Sequence, residues 1–300
     1  MFTERTVQYL SRGITVFADL YLPGPEAPDR SKAAVIIGHP GTGIKEQASR
    51  LYACLLAESG FVALAFDAAY QGESGGEPRN LEDPYQRVED FKSAVTFLSL
   101  LPGEVDPERI GVVGICASGG FGIFAAQTDV RMKAVAGVVP MCIGAQSRAA
   151  FRDESGKLGT EALAGSLRYA ADCRIAEARG AQPSMIRITD VFPEAKEYYE
   201  SPSNRHPRCT NEQLSRSMEL ALNYDSYAFI ELIAPRPLLL ISATIPQQAF
   251  NTAPYIKAAY ERASKPKTLV LIEGARHIDL YSNASQSGPA LVEFMSRWLC

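Results

Sequence analysis

The segment Ile110-Gly111-Val112-Val113-Gly114-Ile115-Cys116-Ala117-Ser118-Gly119-Gly120 has the residue types and spacing for nucleophilic chemistry. An apolar strand runs straight into a tight turn and a helix. Small residues two before and two after a nucleophile let such a backbone turn without a side-chain clash. Gly114 and Ser118 bracket Cys116 in that way. Ser118 has small neighbours at the same offsets, but the apolar run ends at Val113-Gly114, which puts Cys116 on the turn and Ser118 in the first helical turn. The positive end of the following helix and a nearby imidazole would both favour the Cys116 thiolate. The alternative for Cys116 is an inert buried thiol.

The imidazole expected at this turn is His277. It follows the apolar run Thr268 to Ile272 through the loop Glu273-Gly274-Ala275-Arg276, where a late histidine returns to the nucleophile in a strand-turn-helix topology. A second loop, His39-Pro40-Gly41-Thr42-Gly43, follows the early strand Ala33 to Ile37. Its backbone can offer a donor to a developing oxyanion from Gly41 or Thr42, with the Ala117 N–H as the second donor. His39 itself reads as a structural residue of that loop.

These residues must be positioned by the elements around them. Ile14 to Leu22 reads as an antiparallel strand ending in a Pro/Gly turn. From Ala33 onward short apolar runs alternate with helical segments: strands at 33–37, 62–66, 110–113 and 134–139, helices at 46–59, 87–100 and 119–127. Buried parallel strands read as continuous apolar runs, and such alternation implies an α/β fold with a mostly parallel sheet and helices on both faces. Between Gly144 and Ile233 the pattern breaks into polar, aromatic and proline-bearing sequence, helical at best, before resuming with strands at 237–241 and 268–272 and helices at 254–263 and 288–299. The expected organisation is a core of 1–143 and 234–300 carrying a cap at 144–233.

Bulk properties exclude several classes. A chain of 300 residues with 46% hydrophobic and 21% charged residues can bury a full core. A net charge of −4 without a Lys/Arg cluster argues against nucleic acid or an anionic membrane as partner. The first residues lack the pattern of a secretion signal, so the expected compartment is cytoplasmic. The 6 cysteines include no C-x-x-C pair and the 3 histidines stand apart, so neither a metal nor any other cofactor is expected.

The motifs at 39–43, 66–74 (Phe66-Asp67-Ala68-Ala69-Tyr70-Gln71-Gly72-Glu73-Ser74), 114–120 and 274–281 together resemble the dienelactone-hydrolase-related branch of the α/β-hydrolases. They are especially similar to its fungal polyketide-transferase and thiohydrolase-like group. The resemblance spans nearly the whole chain outside the middle segment. It implies an α/β-hydrolase fold with an inserted cap, and an acyl-enzyme mechanism in which Cys116 attacks an ester or thioester while His277 shuttles the proton. The acyl group would be a polyketide or fatty chain presented on an acyl carrier protein or CoA, and a homodimer is compatible with the sequence. The rival readings are a small-lactone hydrolase and a non-catalytic binding protein on the same fold.

The sequence departs from the family scheme at the acid. Ser242 to Phe250, after the strand at 238–241, contains no Asp or Glu, and neither does Pro140 to Gly144. Asp279 is the candidate acid nearest His277, although residues so close on a turn seldom face one another. Asp67 ends a strand and more often holds the following loop. The simplest expectation is a Cys–His dyad whose imidazole is oriented by a carbonyl, a water or an unforeseen carboxylate. The aromatics Phe151, Tyr169, Phe192, Tyr198, Tyr199, Tyr224, Tyr227 and Phe229 would either pack the cap or line an apolar acyl pocket.

Overall fold

The computed structural model describes residues 1–247 and 250–300. Eight strands form one sheet in the order β1-β2-β4-β3-β5-β6-β9-β10. β1 (Thr3–Ser11) and β2 (Ile14–Leu22) form an antiparallel hairpin, closed at Arg12 and Gly13, both with positive φ, as the twist of a two-residue hairpin turn requires. β1 escapes a reading by apolar runs because it is an edge strand with mostly exposed side chains. β2 pairs antiparallel with β4 (Val62–Phe66). From β4 onward the pairing is parallel, through β3 (Ala34–Gly38), β5 (Ile110–Ile115), β6 (Met132–Val138), β9 (Leu238–Ile245) and β10 (Lys267–Arg276). Every residue of β3, β4 and β5 is buried, which is why their sequences are continuously apolar.

A π-helical turn, Lys45–Ser49, leads into α1 (Arg50–Glu58), so the helical stretch expected from Glu46 is two segments. α2 (Pro84–Ser99) starts earlier than periodicity suggests, because the Asp83 carboxylate accepts from the Tyr85 amide at 2.9 Å and Pro84 occupies the first helical position. α2 packs against α3 (Ala117–Thr128), and α1 against the closing helix, residues 288–299.

Between β6 and β9 no segment joins the main sheet. The stretch contains α4 (Ile143–Ala149), α5 (Thr160–Ala178), β7 (Met185–Arg187), α6 (Ile188–Val191), α7 (Pro193–Tyr199), β8 (Glu212–Leu214), α8 (Ser217–Leu222) and a 3-10 turn, Ile230–Ile233. β7 and β8 pair as a small antiparallel ribbon, an addition to the helical content expected there. α9 (Ala253–Arg262), α10 (Asp279–Ser282) and α11 (Gly288–Leu299) complete the chain. Among the described residues no helix is long and apolar enough to cross a membrane.

The 144–233 segment is tied down over the carboxyl ends of the strands. The Tyr199 hydroxyl donates to the Gly41 carbonyl at 3.0 Å, and Gln47 Nε2 donates to the Asn204 carbonyl at 2.8 Å. Arg276 pairs with Glu197 at 2.7 Å, and Arg208 with Glu46.

Candidate active site

β5 delivers its last residues into a turn at Cys116, whose φ of 54° and ψ of −118° lie outside the regions an L-residue prefers. A non-glycine residue is held there only when the surroundings over-determine it. The Cys116 amide donates to the Val138 carbonyl at 3.0 Å and its carbonyl accepts from the Met141 amide at 2.8 Å. Gly114 is required because a Cβ on it would sit 2.0 Å from the Ser118 carbonyl oxygen. Cys116 therefore occupies the turn. Ser118 lies beneath it, 1% exposed, accepting from Arg87 Nη2 at 3.2 Å.

The amides of Ala117 and Gly41 both face the Cys116 sulfur. A donor pair on that side of the nucleophile is what a tetrahedral oxyanion needs. Thr42 is the alternative donor. The backbone reverses there with a φ of 58°, which brings its amide to the side of the buried Glu82 carboxylate.

His277 is 1% exposed and both of its ring nitrogens are engaged. Nε2 lies 2.9 Å from the Tyr281 hydroxyl and Nδ1 3.3 Å from Thr252 Oγ1. Phe250 stacks on the ring at 5.1 Å between centroids, with 17° between planes. The Tyr281 hydroxyl also interacts with the Cys116 sulfur, although its well-aligned bond is the one to His277.

Asp279 does not orient the imidazole. Its carboxylate accepts from the Arg276 amide at 2.8 Å and from Arg276 Nη2 at 2.7 Å, at the end of β10. Asp67 likewise holds a loop, accepting from the Lys45 amide at 2.7 Å and the Glu73 amide at 2.8 Å. The group that faces Nδ1 is a hydroxyl, Thr252, in the loop between β9 and α9 and two residues past the Ser242–Phe250 stretch in which an acid was sought. Gln247 of the same loop accepts from the Ile278 amide at 3.2 Å. Gln248 and Ala249 lie outside the described residues.

His39 is structural. Its Nδ1 lies 2.7 Å from the Pro40 carbonyl and its Nε2 accepts from the Ala68 amide at 3.0 Å. Arg87, which sequence reasoning missed, donates to the His39 carbonyl at 3.1 Å, pairs with Glu82 at 3.1 Å and lies over the Phe121 ring at 5.2 Å. This buried ion pair braces the oxyanion loop from below. It carries no motif, since its partners come from three separate segments.

Of the aromatics expected to line a pocket, Tyr198 packs edge-on against Tyr281 at 5.1 Å, Tyr199 holds the Gly41 carbonyl, and Phe192 meets Phe250 at 6.1 Å. Tyr224 instead packs on Phe121 and Phe124, while Tyr169 and Phe229 face solvent. Among the described residues no group of His, Cys, Asp and Glu is placed to hold a metal.

Burial keeps the Cys–His pair neutral. It pushes the Cys116 thiol up to about 11, against smaller opposing effects of the Tyr281 hydroxyl, the two amides and Arg87. It pushes His277 down to about 3. The activated thiolate expected from the helix end is thus not the resting form, because desolvation outweighs the local donors. The rate of Cys116 alkylation by iodoacetamide should accordingly climb from neutral pH toward about pH 11. A plateau reached below pH 7 would reveal a thiolate–imidazolium pair instead. His277 also affects stability: the unfolded imidazole binds a proton near 6.5 and the folded one only near 3, so its contribution falls as pH drops through that window.

Residues 18–154 match the dienelactone hydrolase family. An uncharacterized protein of Pseudomonas aeruginosa is 38% identical over 293 residues, covering 93% of this chain and 76% of that protein. The crystal structure of a hypothetical protein from that species covers 99% of this chain and 94% of its own at 34% identity, with a TM-score of 0.89. The uncharacterized protein YcjY of Escherichia coli is 34% identical over 287 residues, 93% of this chain and 92% of YcjY. The thiohydrolase aneE of Aspergillus aculeatus is 35% identical over 153 residues, 51% of this chain and 45% of that protein. With a mostly parallel sheet, a strained turn at Cys116 after β5 and a histidine after β10, the chain has an α/β-hydrolase fold and belongs to the dienelactone hydrolase family, a family of hydrolase and acyl-transfer enzymes.

Proposed function

We propose that the protein moves an acyl group from an ester or thioester to water or an alcohol through a covalent acyl-Cys116 intermediate, with His277 as the proton acceptor. The observation that carries this reading is the strained turn that presents the Cys116 sulfur to the Gly41 and Ala117 amides within one hydroxyl of His277. In acylation the sulfur electron pair forms the C–S bond as the thiol proton passes to the imidazole. The carbonyl electrons move onto oxygen and are held by the two amides. Collapse expels the leaving group, which takes the proton back. Water or an alcohol then repeats the sequence on the acyl-enzyme. No strong base is needed for this, since a thiol ionises more readily than a serine hydroxyl.

Buried Tyr198 against Tyr281, and the more exposed Phe192 against Phe250 beside His277, favour an apolar acyl chain carried as a thioester, and the similarity to a named thiohydrolase points the same way. A CoA or carrier-bound donor fits that chemistry. Arg148, Arg174 and Arg208 of the 144–233 segment are engaged internally or to the core, so they do not form a ready carrier-docking face. All six cysteines are unpaired, which suits a reducing compartment such as the cytoplasm.

The test uses acyl N-acetylcysteamine thioesters of graded length and intact-mass detection of an adduct at Cys116. Phe192→Ala should shift the preferred length by about 1–3 kcal/mol per methylene, whereas Phe229→Ala, on the exposed side, should not. An absence of adduct across the series, with turnover of a small lactone instead, would favour the lactone-hydrolase reading that the family match also allows. Equal losses on every thioester would remove Phe192 from the acyl site.

A further inference from the structure

The hydrogen-bond pattern around His277 leaves no ring nitrogen free for the thiol: Nδ1 is taken by Thr252 and Nε2 by Tyr281. Tyr281 stands four residues after His277, and α10 brings its hydroxyl back over the imidazole at a ring separation of 5.4 Å. The same hydroxyl interacts with the Cys116 sulfur. Tyr281 is 3% exposed and is wedged by Tyr198, so its place between sulfur and nitrogen is fixed by packing.

We propose that Tyr281 is a catalytic residue whose hydroxyl relays the proton from the Cys116 thiol to His277 Nε2. The proposal rests on the acyl-Cys116 reading above. The relay starts from the arrangement in which the thiol S–H turns to the Tyr281 oxygen, the Tyr281 O–H donates to Nε2, and Nδ1–H donates to Thr252 Oγ1, one of the tautomers these contacts allow. As the sulfur electron pair bonds to the acyl carbon, the S–H proton moves to the Tyr281 oxygen. At the same time the Tyr281 proton moves to Nε2. One proton has then passed from sulfur to imidazole, tyrosine is neutral before and after, and the imidazolium keeps both of its hydrogen bonds. Reversal of the relay returns a proton to the leaving group. Burial holds the phenol well above its ordinary ionisation range, which suits a hydroxyl that passes protons in concert and does not stand as a phenolate.

The relay is tested on the full chain by a double-variant cycle with two probes. The first is single-turnover acylation by an acyl N-acetylcysteamine thioester. The second is alkylation of Cys116 by iodoacetamide at fixed pH, which needs no acyl chemistry. Tyr281→Phe removes one oxygen, and near-ultraviolet circular dichroism reports whether the aromatic packing survives. Tyr281→Phe should slow acylation on the order of 10²- to 10³-fold and slow alkylation as well. The double variant Tyr281→Phe/His277→Ala should fall no further than His277→Ala alone, because the two act as a unit. The rate of wild-type acylation should bow with the deuterium fraction of the solvent, as two moving protons require, and become linear in Tyr281→Phe.

Wild-type-like rates in folded Tyr281→Phe, or multiplying losses in the double variant, would overturn the relay. If the wild type forms no acyl-enzyme with any thioester, the acyl-transfer reading fails. The alkylation cycle would still show whether Tyr281 couples Cys116 to His277.

Discussion

Cys116→Ala is expected to abolish turnover of any acyl substrate while leaving the fold in place, because no neighbouring group can make the covalent bond. The loss should be on the order of 10⁴-fold or more, as when the nucleophile of a comparable constellation is removed. Cys116→Ser should be nearly as impaired. A hydroxyl needs a far stronger base than a thiol, and among the described residues the imidazole is paired with two hydroxyls. Ser118→Ala is the control. It loses a hydrogen bond from Arg87 worth about 1 kcal/mol of stability, but its buried oxygen is engaged by that guanidinium and turnover should persist. The measurement is the single-turnover acylation rate with circular dichroism on each variant. Retained activity in Cys116→Ala together with loss in Ser118→Ala would move the nucleophile two residues along the helix.

What made Cys116 legible was local: a buried strand, a glycine that cannot carry a Cβ, and a helix start lie within eleven residues of sequence. The parallel core was legible for the same reason, since each of its strands is an uninterrupted apolar run. β1 was not, because a solvated edge strand alternates polar and apolar residues without a buried face to fix them. The oxyanion loop was half legible. A glycine-bearing loop signals backbone donors, but the way each amide turns also depends on distant groups such as Glu82, 40 residues after Thr42 and paired with Arg87. Tyr281 and Thr252 carried no sequence signal as catalytic partners. A tyrosine after a histidine and a threonine before a helix are commonplace until the sheet brings β9 and β10 together. The acid was sought as a residue type at a place. The group that faces Nδ1 is the Thr252 hydroxyl, two residues past that Ser242–Phe250 stretch.

That substitution decides how the base should respond to mutation. His277→Ala is expected to cost on the order of 10³- to 10⁴-fold in acylation, the range of a lost general base. Thr252→Val removes only a neutral hydrogen bond to Nδ1 at 3.3 Å and should cost about tenfold. Asp279→Asn should leave the chemical step near that of the wild type, since its carboxylate serves Arg276 and not the ring. The pH profile separates these roles further. Burial alone holds His277 near 3, so the neutral base persists through mild acid and the acid limb of kcat/KM should lie well below pH 6. Thr252→Asp places a carboxylate beside Nδ1, favours the protonated ring, and should move that limb upward. A loss in Asp279→Asn as deep as that in His277→Ala would mean that a carboxylate does govern the imidazole during turnover. Because kcat/KM reports ionisations of the free enzyme, an acid limb near 6.5 in the wild type would mean that the imidazole is hydrated before substrate arrives.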